Sequence, residues 1–219
     1  MTPPTKETDF EQHIAGWLVD HGGYGAVTVG NQAPAERDFD PELGLNGTEL
    51  FTFLAATQSE AWDTLVRRHG GSQEDAQRKF KQRVARQLDE RGTVDVLRRG
   101  VIDQGVRFAL AYFLPASGLN PGLVERYEAN RLVVVRQFAY ESDSHKTVDL
   151  ALLVNGLLVA TAELKNPLTG QTVDDAVRQY RRDRDPRNVG LGRRAVGHFA
   201  VDTELVQMTT RLAGSATRV

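Results

Sequence analysis

The sequence predicts an α/β or α+β domain built on a mixed β-sheet flanked by α-helices, and three observations carry that expectation. Amphipathic segments with helix-type spacing and N-terminal caps dominate the first half of the chain. Val- and Leu-rich runs then meet at Asn155-Gly156, a strong short hairpin signal. One more amphipathic segment and a short apolar run complete the pattern before the chain ends. With 219 residues, 40% of them hydrophobic and 26% charged, the chain can bury a core of its own and has the composition of a globular protein.

Residues 1–8, with Pro3-Pro4, read as a tail, and 9–219 as a single domain. Phe10, Ile14, Trp17 and Leu18 recur at helical spacing, and Gly22-Gly23 stop that helix. Prolines and glycines make 25–48 loop-like. Ser59 and Ser72 are expected N-caps for helices over 60–69 and 73–90, each with acids in the first turn. A strand is expected over 103–113, a short helix from Pro121 to about 131, and a strand from Val133. Thr172 or Asp174 should start a helix to about Arg184, and 198–201 a last strand. Trp17, Trp62, Phe108, Tyr112 and Phe113 read as core.

Several function classes are excluded early. No apolar run reaches the roughly 18 residues that a membrane helix needs, and no basic-apolar leader opens the chain. The absence of cysteine excludes disulfides and thiolate metal sites and suits a cytoplasmic protein. The five histidines show no pair at metal-ligand spacing; His145, just before a strand, reads as loop surface. A net charge of −2 gives no global attraction to nucleic acid, so any such contact needs a local patch.

Chemistry concentrates between Thr147 and Lys165. Asp149, Glu163 and Lys165 are embedded in a run otherwise fit for a buried sheet. Burying a carboxylate is costly unless a metal or a partner compensates. Residues two apart on a strand share a face, so Glu163 and Lys165 point together and Leu164 points away. A plain two-residue turn at Asn155-Gly156 would place Asp149 opposite Ala162 and turn it from Glu163. Joining the carboxylates requires a bulged hairpin or an equivalent bend, such as an odd-length loop Val154-Asn155-Gly156 with Gly156 left-handed and a bulge. Asp149 and Glu163 could then hold a hard cation with the Leu164 carbonyl, while Lys165 orients a nucleophile. The competing reading is a surface hairpin carrying a Glu–Lys pair.

These residues carry a family resemblance. Val148-Asp149-Leu150, the run from Asn155 to Pro167 ending in Glu163-Leu164-Lys165-Asn166-Pro167, the 53–62 segment, Asn130-Arg131 and the 198–212 segment resemble the nuclease core of the R (restriction and translocation) subunit of type I restriction enzymes. That family belongs to the PD-(D/E)XK nucleases. The resemblance implies a restriction-endonuclease-like fold and a Mg²⁺-dependent DNA endonuclease, with Mn²⁺ as a substitute. It implies Asp149, Glu163 and Lys165 as catalytic residues, and Asp149, Glu163 and the Leu164 carbonyl as metal ligands. It also implies double-stranded DNA, methyltransferase and specificity subunits as partners, with sequence recognition left to the specificity subunit. No Gly-x-x-x-x-Gly-Lys-Ser/Thr loop occurs, so ATP would serve only a full-length subunit of which this chain is an N-terminal piece. A docking module that binds subunits or DNA without cutting is the alternative.

Relatives often carry Gln-x-x-x-Tyr on the following helix. Here Gln179 is followed directly by Tyr180, with Asp183 where the tyrosine would stand, so Gln179 carries over and Tyr180 is an accessory candidate only. Seven arginines between Arg178 and Arg194 form an expected phosphate-binding patch, with Gln179, Arg181 and Arg184 as its DNA contacts. Glu11, on the first helix, is a second accessory candidate, with solvated helix surface as its simpler reading.

Overall fold

A computed structural model describes residues 7–29, 38–142 and 146–219. The strands are β1 (Gly25–Val29), β2 (Phe39–Asp40), β3 (Leu45–Asn46), β4 (Val101–Asp103), β5 (Val106–Phe108), β6 (Leu132–Ala139), β7 (Thr147–Val154), β8 (Leu157–Leu164), β9 (Gly197–Val201) and β10 (Val206–Thr209). The helices are α1 (Glu7–His21), α2 (Gly47–Thr57), α3 (Ser59–Arg68), α4 (Gln73–Arg91), α5 (Thr93–Arg99), α6 (Pro121–Glu128) and α7 (Val173–Arg182). The main sheet runs β1-β6-β7-β8, and β8 then forks. Its first residue, Leu157, pairs with Leu45 of β3, while Ala160–Leu164 pair in parallel with Gly197–Val201 of β9. With β1 parallel to β6 and β6, β7 and β8 antiparallel, the sheet is mixed, as expected.

Helix α1 covers one face, where Phe10 and Ala15 pack on Val134, Leu150 and Leu164. On the other face Tyr180 of α7 packs with Val135, Phe138, Val148, Ala151 and Leu158. Helices α2 to α5 and the β4–β5 hairpin form a lobe around Phe53, Trp62, Phe80 and Phe108, which reaches Leu157 at the start of β8. The lobe therefore braces one end of the β7–β8 hairpin and leaves the far end, at Asp149 and Glu163, to be closed by other elements.

That brace is polar at its centre. Asn155 and Gly156 have φ of 49° and 83°, the left-handed pair that a tight two-residue turn needs. Asn155 is fully buried; its Nδ2 donates to Leu110 O and Asn130 Oδ1, each at 2.9 Å, and its Oδ1 accepts from Arg131 N at 2.7 Å. Gly156 O accepts from Asn46 N at 2.7 Å.

Several expectations are corrected. Part of the loop-like 25–48 stretch is strand, because β1 and β3 find partners far along the chain in β6 and β8. Helix α2 went unforeseen, although Asn46 caps it by accepting from Glu49 N at 2.9 Å. Ser59 is not a cap; Gln58 precedes α3 and instead pairs with the backbone of Ala109 through both side-chain atoms. Ser72 does cap α4. The strand expected over 103–113 is the short β4–β5 hairpin, because Gln104 and Gly105 both take positive φ and turn the chain back. Strand β10 was not anticipated, and α1 starts inside the expected tail. Trp62 and Phe108 are core, but Trp17 is 55% exposed, stacked on His21, and Phe113 is 61% exposed.

A Cβ on Gly156 would lie 2.3 Å from Asn46 O. Gly156→Ala should therefore destabilise the fold by roughly 3 kcal/mol, from left-handed backbone strain plus displacement of β3. The urea midpoint measures this; a shift worth less than about 1 kcal/mol would mean that the turn and β3 are not rigidly joined.

Candidate active site

The β7–β8 register decides whether the carboxylates can meet. Val154 pairs with Leu157 and Leu153 with Leu158, but Leu152 pairs with Ala160, so Val159 is an extra residue in β8. From there the register is shifted by one, through Ala151–Thr161 and Leu150–Ala162. The next step along both strands sets Asp149 opposite Glu163. Asp149 Oδ2 accepts from Leu164 N at 2.7 Å, which fixes the carboxylate against the end of β8. The sequence calls for a bulged hairpin or an equivalent bend, for which a three-residue loop at Val154-Asn155-Gly156 is one form. The turn keeps two residues, and the bulge sits at Val159, whose carbonyl accepts from Val196 N at 2.8 Å just before β9.

Glu163 is fully buried. Its Oε1 accepts from Arg184 Nε at 2.6 Å, while Oε2 is buried with no hydrogen-bond partner. Burial, and then the charge of Asp149, push the Glu163 carboxyl up to about 7; Arg184 and Lys165 pull the other way without offsetting them. Lys165 is buried beside this group, and its charge also bears on Asp175 of α7. Its N–H donates to Val201 O, toward β9, whereas the N–H of Leu164 points to Asp149 on the β7 side. In an extended strand a residue's N–H and C=O project to the same side, so the Leu164 carbonyl also faces Asp149.

The described residues contain no cluster of three or more His, Asp or Glu suited to a metal. A cation here would rest on two carboxylates and a carbonyl, the hard-oxygen set that Mg²⁺ prefers, with water completing the shell. The partnerless Glu163 Oε2, the like charge of Asp149 and the raised Glu163 pKa fit such a cation.

Asp149 has a second neighbour on its other side. Gln137 lies opposite it in β6, between the Arg136–Leu150 and Phe138–Val148 pairs, with φ of 50°. Its Nε2 donates to Glu11 Oε2 at 2.7 Å and to Asp149 Oδ1 at 3.3 Å, and its Oε1 accepts from Thr147 Oγ1 at 3.0 Å. Glu11 is 1% exposed and ion-paired to Arg136 Nε at 2.5 Å. The solvated reading of Glu11 is thus overturned, because the Arg136 guanidinium pulls it under α1. Nothing in the sequence marked Gln137, whose contact arises from a local backbone reversal.

The arginine patch is not a surface of free cations. Arg184 is buried, donating to Glu163, to Thr147 O at 2.8 Å and to Tyr140 OH at 3.4 Å. Arg178 pairs with Asp175, Arg187 with Asp185, and Arg194, also buried, with Asp89. Arg181 is exposed but donates to Thr217 O at 3.0 Å. Arg184 is therefore part of the carboxylate site, its guanidinium taken up by Glu163 and Thr147. Gln179 Oε1 is buried without a hydrogen-bond partner. Tyr180 is core; its hydroxyl is hydrogen-bonded to Thr161 Oγ1 at 2.9 Å, and Thr161 also meets His198 Nδ1 at 2.8 Å. Burial holds His198 down to about 4, so it stays neutral. His145 lies outside the described residues.

The Glu163 shift has a definite sign in solution. A carboxyl raised from 4.5 to about 7 by folding favours the unfolded state increasingly as pH rises through that interval, by up to roughly 3 kcal/mol. Asp149→Asn removes the like charge and lowers the Glu163 pKa, so the metal-free stability decline from pH 5 to pH 8 should become shallower. Urea midpoints at the two pH values measure it; an unchanged decline would mean that Asp149 does not act on Glu163.

No curated protein and no solved structure matches this chain. Residues 58–216 match the family model described as type I restriction enzyme R protein N terminus. The match takes in β6 to β10 and α7, and with them Asp149, Glu163, Lys165 and Arg184. With most of its length and its whole carboxylate cluster inside that match, the chain belongs to the family of type I restriction enzyme R protein N termini.

Proposed function

We propose that this chain is a Mg²⁺-dependent DNA endonuclease domain of a type I restriction enzyme R subunit, of the PD-(D/E)XK kind, cutting phosphodiester bonds without reading sequence itself. The observation that carries the reading is the Val159 bulge, which sets Asp149 opposite a buried Glu163 that has one oxygen without a partner. A structural ion pair needs no second carboxylate beside it, and two like charges at a buried site are costly unless a cation is to join them.

In this reading the Asp149 and Glu163 carboxylates and the Leu164 carbonyl would hold the metal. When bound, Mg²⁺ supplies Lewis acidity at the phosphate and lowers the pKa of a coordinated water. Lys165, on the same face as Glu163, orients the attacking water and offsets the negative charge that develops on the phosphate. Arg184 keeps Glu163 Oε1 hydrogen-bonded and leaves Oε2 without a protein partner, available to a cation. Gln137 and the Leu164 amide fix the Asp149 carboxylate from two sides. Mn²⁺ should substitute for Mg²⁺, since both accept hard oxygen ligands. ATP, methyltransferase and specificity subunits would be engaged by the complete enzyme, in the cytoplasm, with double-stranded DNA as substrate.

Two outcomes are expected. The chain should nick supercoiled plasmid with Mg²⁺ or Mn²⁺ and not with EDTA. Asp149→Ala, Glu163→Ala and Lys165→Ala should each lower cleavage by at least about a hundredfold while the full-length subunit retains ATP hydrolysis. Substantial cleavage by Glu163→Ala, with the fold intact by circular dichroism, would refute the assignment.

A further inference from the structure

Around α7, Arg178, Arg187 and Arg193 are paired with acids and Arg184 and Arg194 are buried, which leaves Arg181 and Arg182 exposed; a second, longer row of cations lies on α4. Between Ala76 and Leu88, α4 carries Lys79, Lys81, Arg83 and Arg86, together with Arg78, which pairs with Asp75 at 2.8 Å; its acids, Glu74, Asp75, Asp89 and Glu90, stand at the two ends of the helix. Lys79, Arg83 and Arg86 recur four and three residues apart and so share one face of the helix. They line an open cleft of about 380 Å³ against the β4–β5 hairpin. Arg83 is held in place by donating from Nε to Ile102 O at 2.9 Å. Asp103 is the acid of this cleft, and His69 Nε2 already bonds it at 3.0 Å. The opposite face of α4, with Phe80, Val84 and Leu88, is buried in the core of the lobe, so the basic face is presented on a rigid support.

We propose that this face of α4 binds the phosphate backbone of duplex DNA, at a site separate from the carboxylates. The inference rests on the nuclease reading for its choice of polyanion. From Lys79 to Arg86 the helix rises about 10 Å, so the cations are spread along a line. A single phosphate is best held by donors that converge on one point; a line of cations suits a repeating anion, and duplex DNA carries one charge per about 1.7 Å of its axis. The lobe meets the sheet at Leu157, and Glu163 lies six residues on, about 20 Å of strand. The contact therefore falls on a stretch of duplex other than the phosphate beside Glu163, and it holds DNA without taking part in cleavage.

The test is fluorescence anisotropy of a random-sequence duplex with the full chain in EDTA, across a range of salt. Lys79→Glu combined with Arg86→Glu should weaken binding at least about tenfold at 0.1 M salt and lower the log–log salt slope by about 2, because two phosphate contacts are lost. Lys79→Gln combined with Arg86→Gln should show the same direction to a smaller extent, and it preserves the test if charge reversal impairs folding. An unchanged slope in the double variants overturns the proposal even if the parent chain nicks plasmid. Loss of binding in them, in a chain that never nicks plasmid, upholds the proposal and overturns the nuclease reading. Displacement of the duplex by polyglutamate at equal charge concentration would instead make this a surface for an acidic polypeptide. Equal displacement by inorganic pyrophosphate would reduce it to a simple anion site.

Discussion

Val159 stands in β8 without a partner on β7, and the carboxylate end of the sheet is organised around that extra residue. Strand side chains alternate with a period of two, so a one-residue insertion exchanges the faces of everything beyond it. Before the bulge β8 follows the plain hairpin register, which packs Leu157 and Leu158 against their clusters. Beyond it Thr161 and Glu163 face α7, and Asp149 comes level with Glu163. The bulge is held from the other side, since the Val159 carbonyl is taken by Val196 as the chain enters β9. The parallel β8–β9 ladder then continues to Leu164 and fixes the strand that carries both Glu163 and Lys165.

The electrostatics follow from this placement. Glu163 has lost its water, has Asp149 beside it and keeps Arg184 as its hydrogen-bonded counter-charge. Desolvation and like charge win over the guanidinium, so the carboxyl sits near neutrality on the pH scale rather than well below it. Arg184 is raised above its ordinary value, because hydrogen bonding and the charge of Glu163 outweigh its own burial. A divalent cation at Glu163 Oε2 would reverse that balance for Glu163. Around this centre the chain invests buried polar groups heavily: Glu11 with Arg136, Gln137 with Asp149, Arg184 with the Thr147 carbonyl. Each orients a group next to the carboxylates.

The helical lobe plays a different part. Leu157 packs into its core, and beside it the turn at Asn155-Gly156 is bonded to Leu110 just after β5, to Asn130 and Arg131 just before β6 and to the Asn46 amide of β3, so the β7–β8 hairpin is anchored at the end remote from its charges. An anchor there holds the register of both strands against slipping, and the site depends on that register. Arg131 reinforces it by pairing with Glu49 of α2 at 2.5 Å, which joins the start of β6 to the lobe. The outer face of the same lobe then carries the basic row of α4, on a support tied directly to the sheet that carries the carboxylates.

Sequence by itself determined the mixed sheet with its flanking helices, the hairpin at Asn155-Gly156, the Ser72 cap and the set Asp149, Glu163 and Lys165. Those features rest on local signals: a turn that needs two left-handed residues, a hydroxyl at a helix start, charges in a run too apolar to solvate them. It also determined that Asp149 and Glu163 could meet only if the hairpin were irregular. Where the irregularity falls was decided by tertiary structure, because Val159 bulges toward a partner, Val196, that lies 37 residues away. The same holds for β1 and β3, whose short runs become strands beside β6 and β8, with β2 added on the edge of β3. It holds for Glu11, drawn under α1 by Arg136, and for Arg184, drawn from the surface to Glu163. A buried charge takes the counter-charge that the fold brings within reach, and that reach is set by packing across the sheet, not by neighbours in the chain.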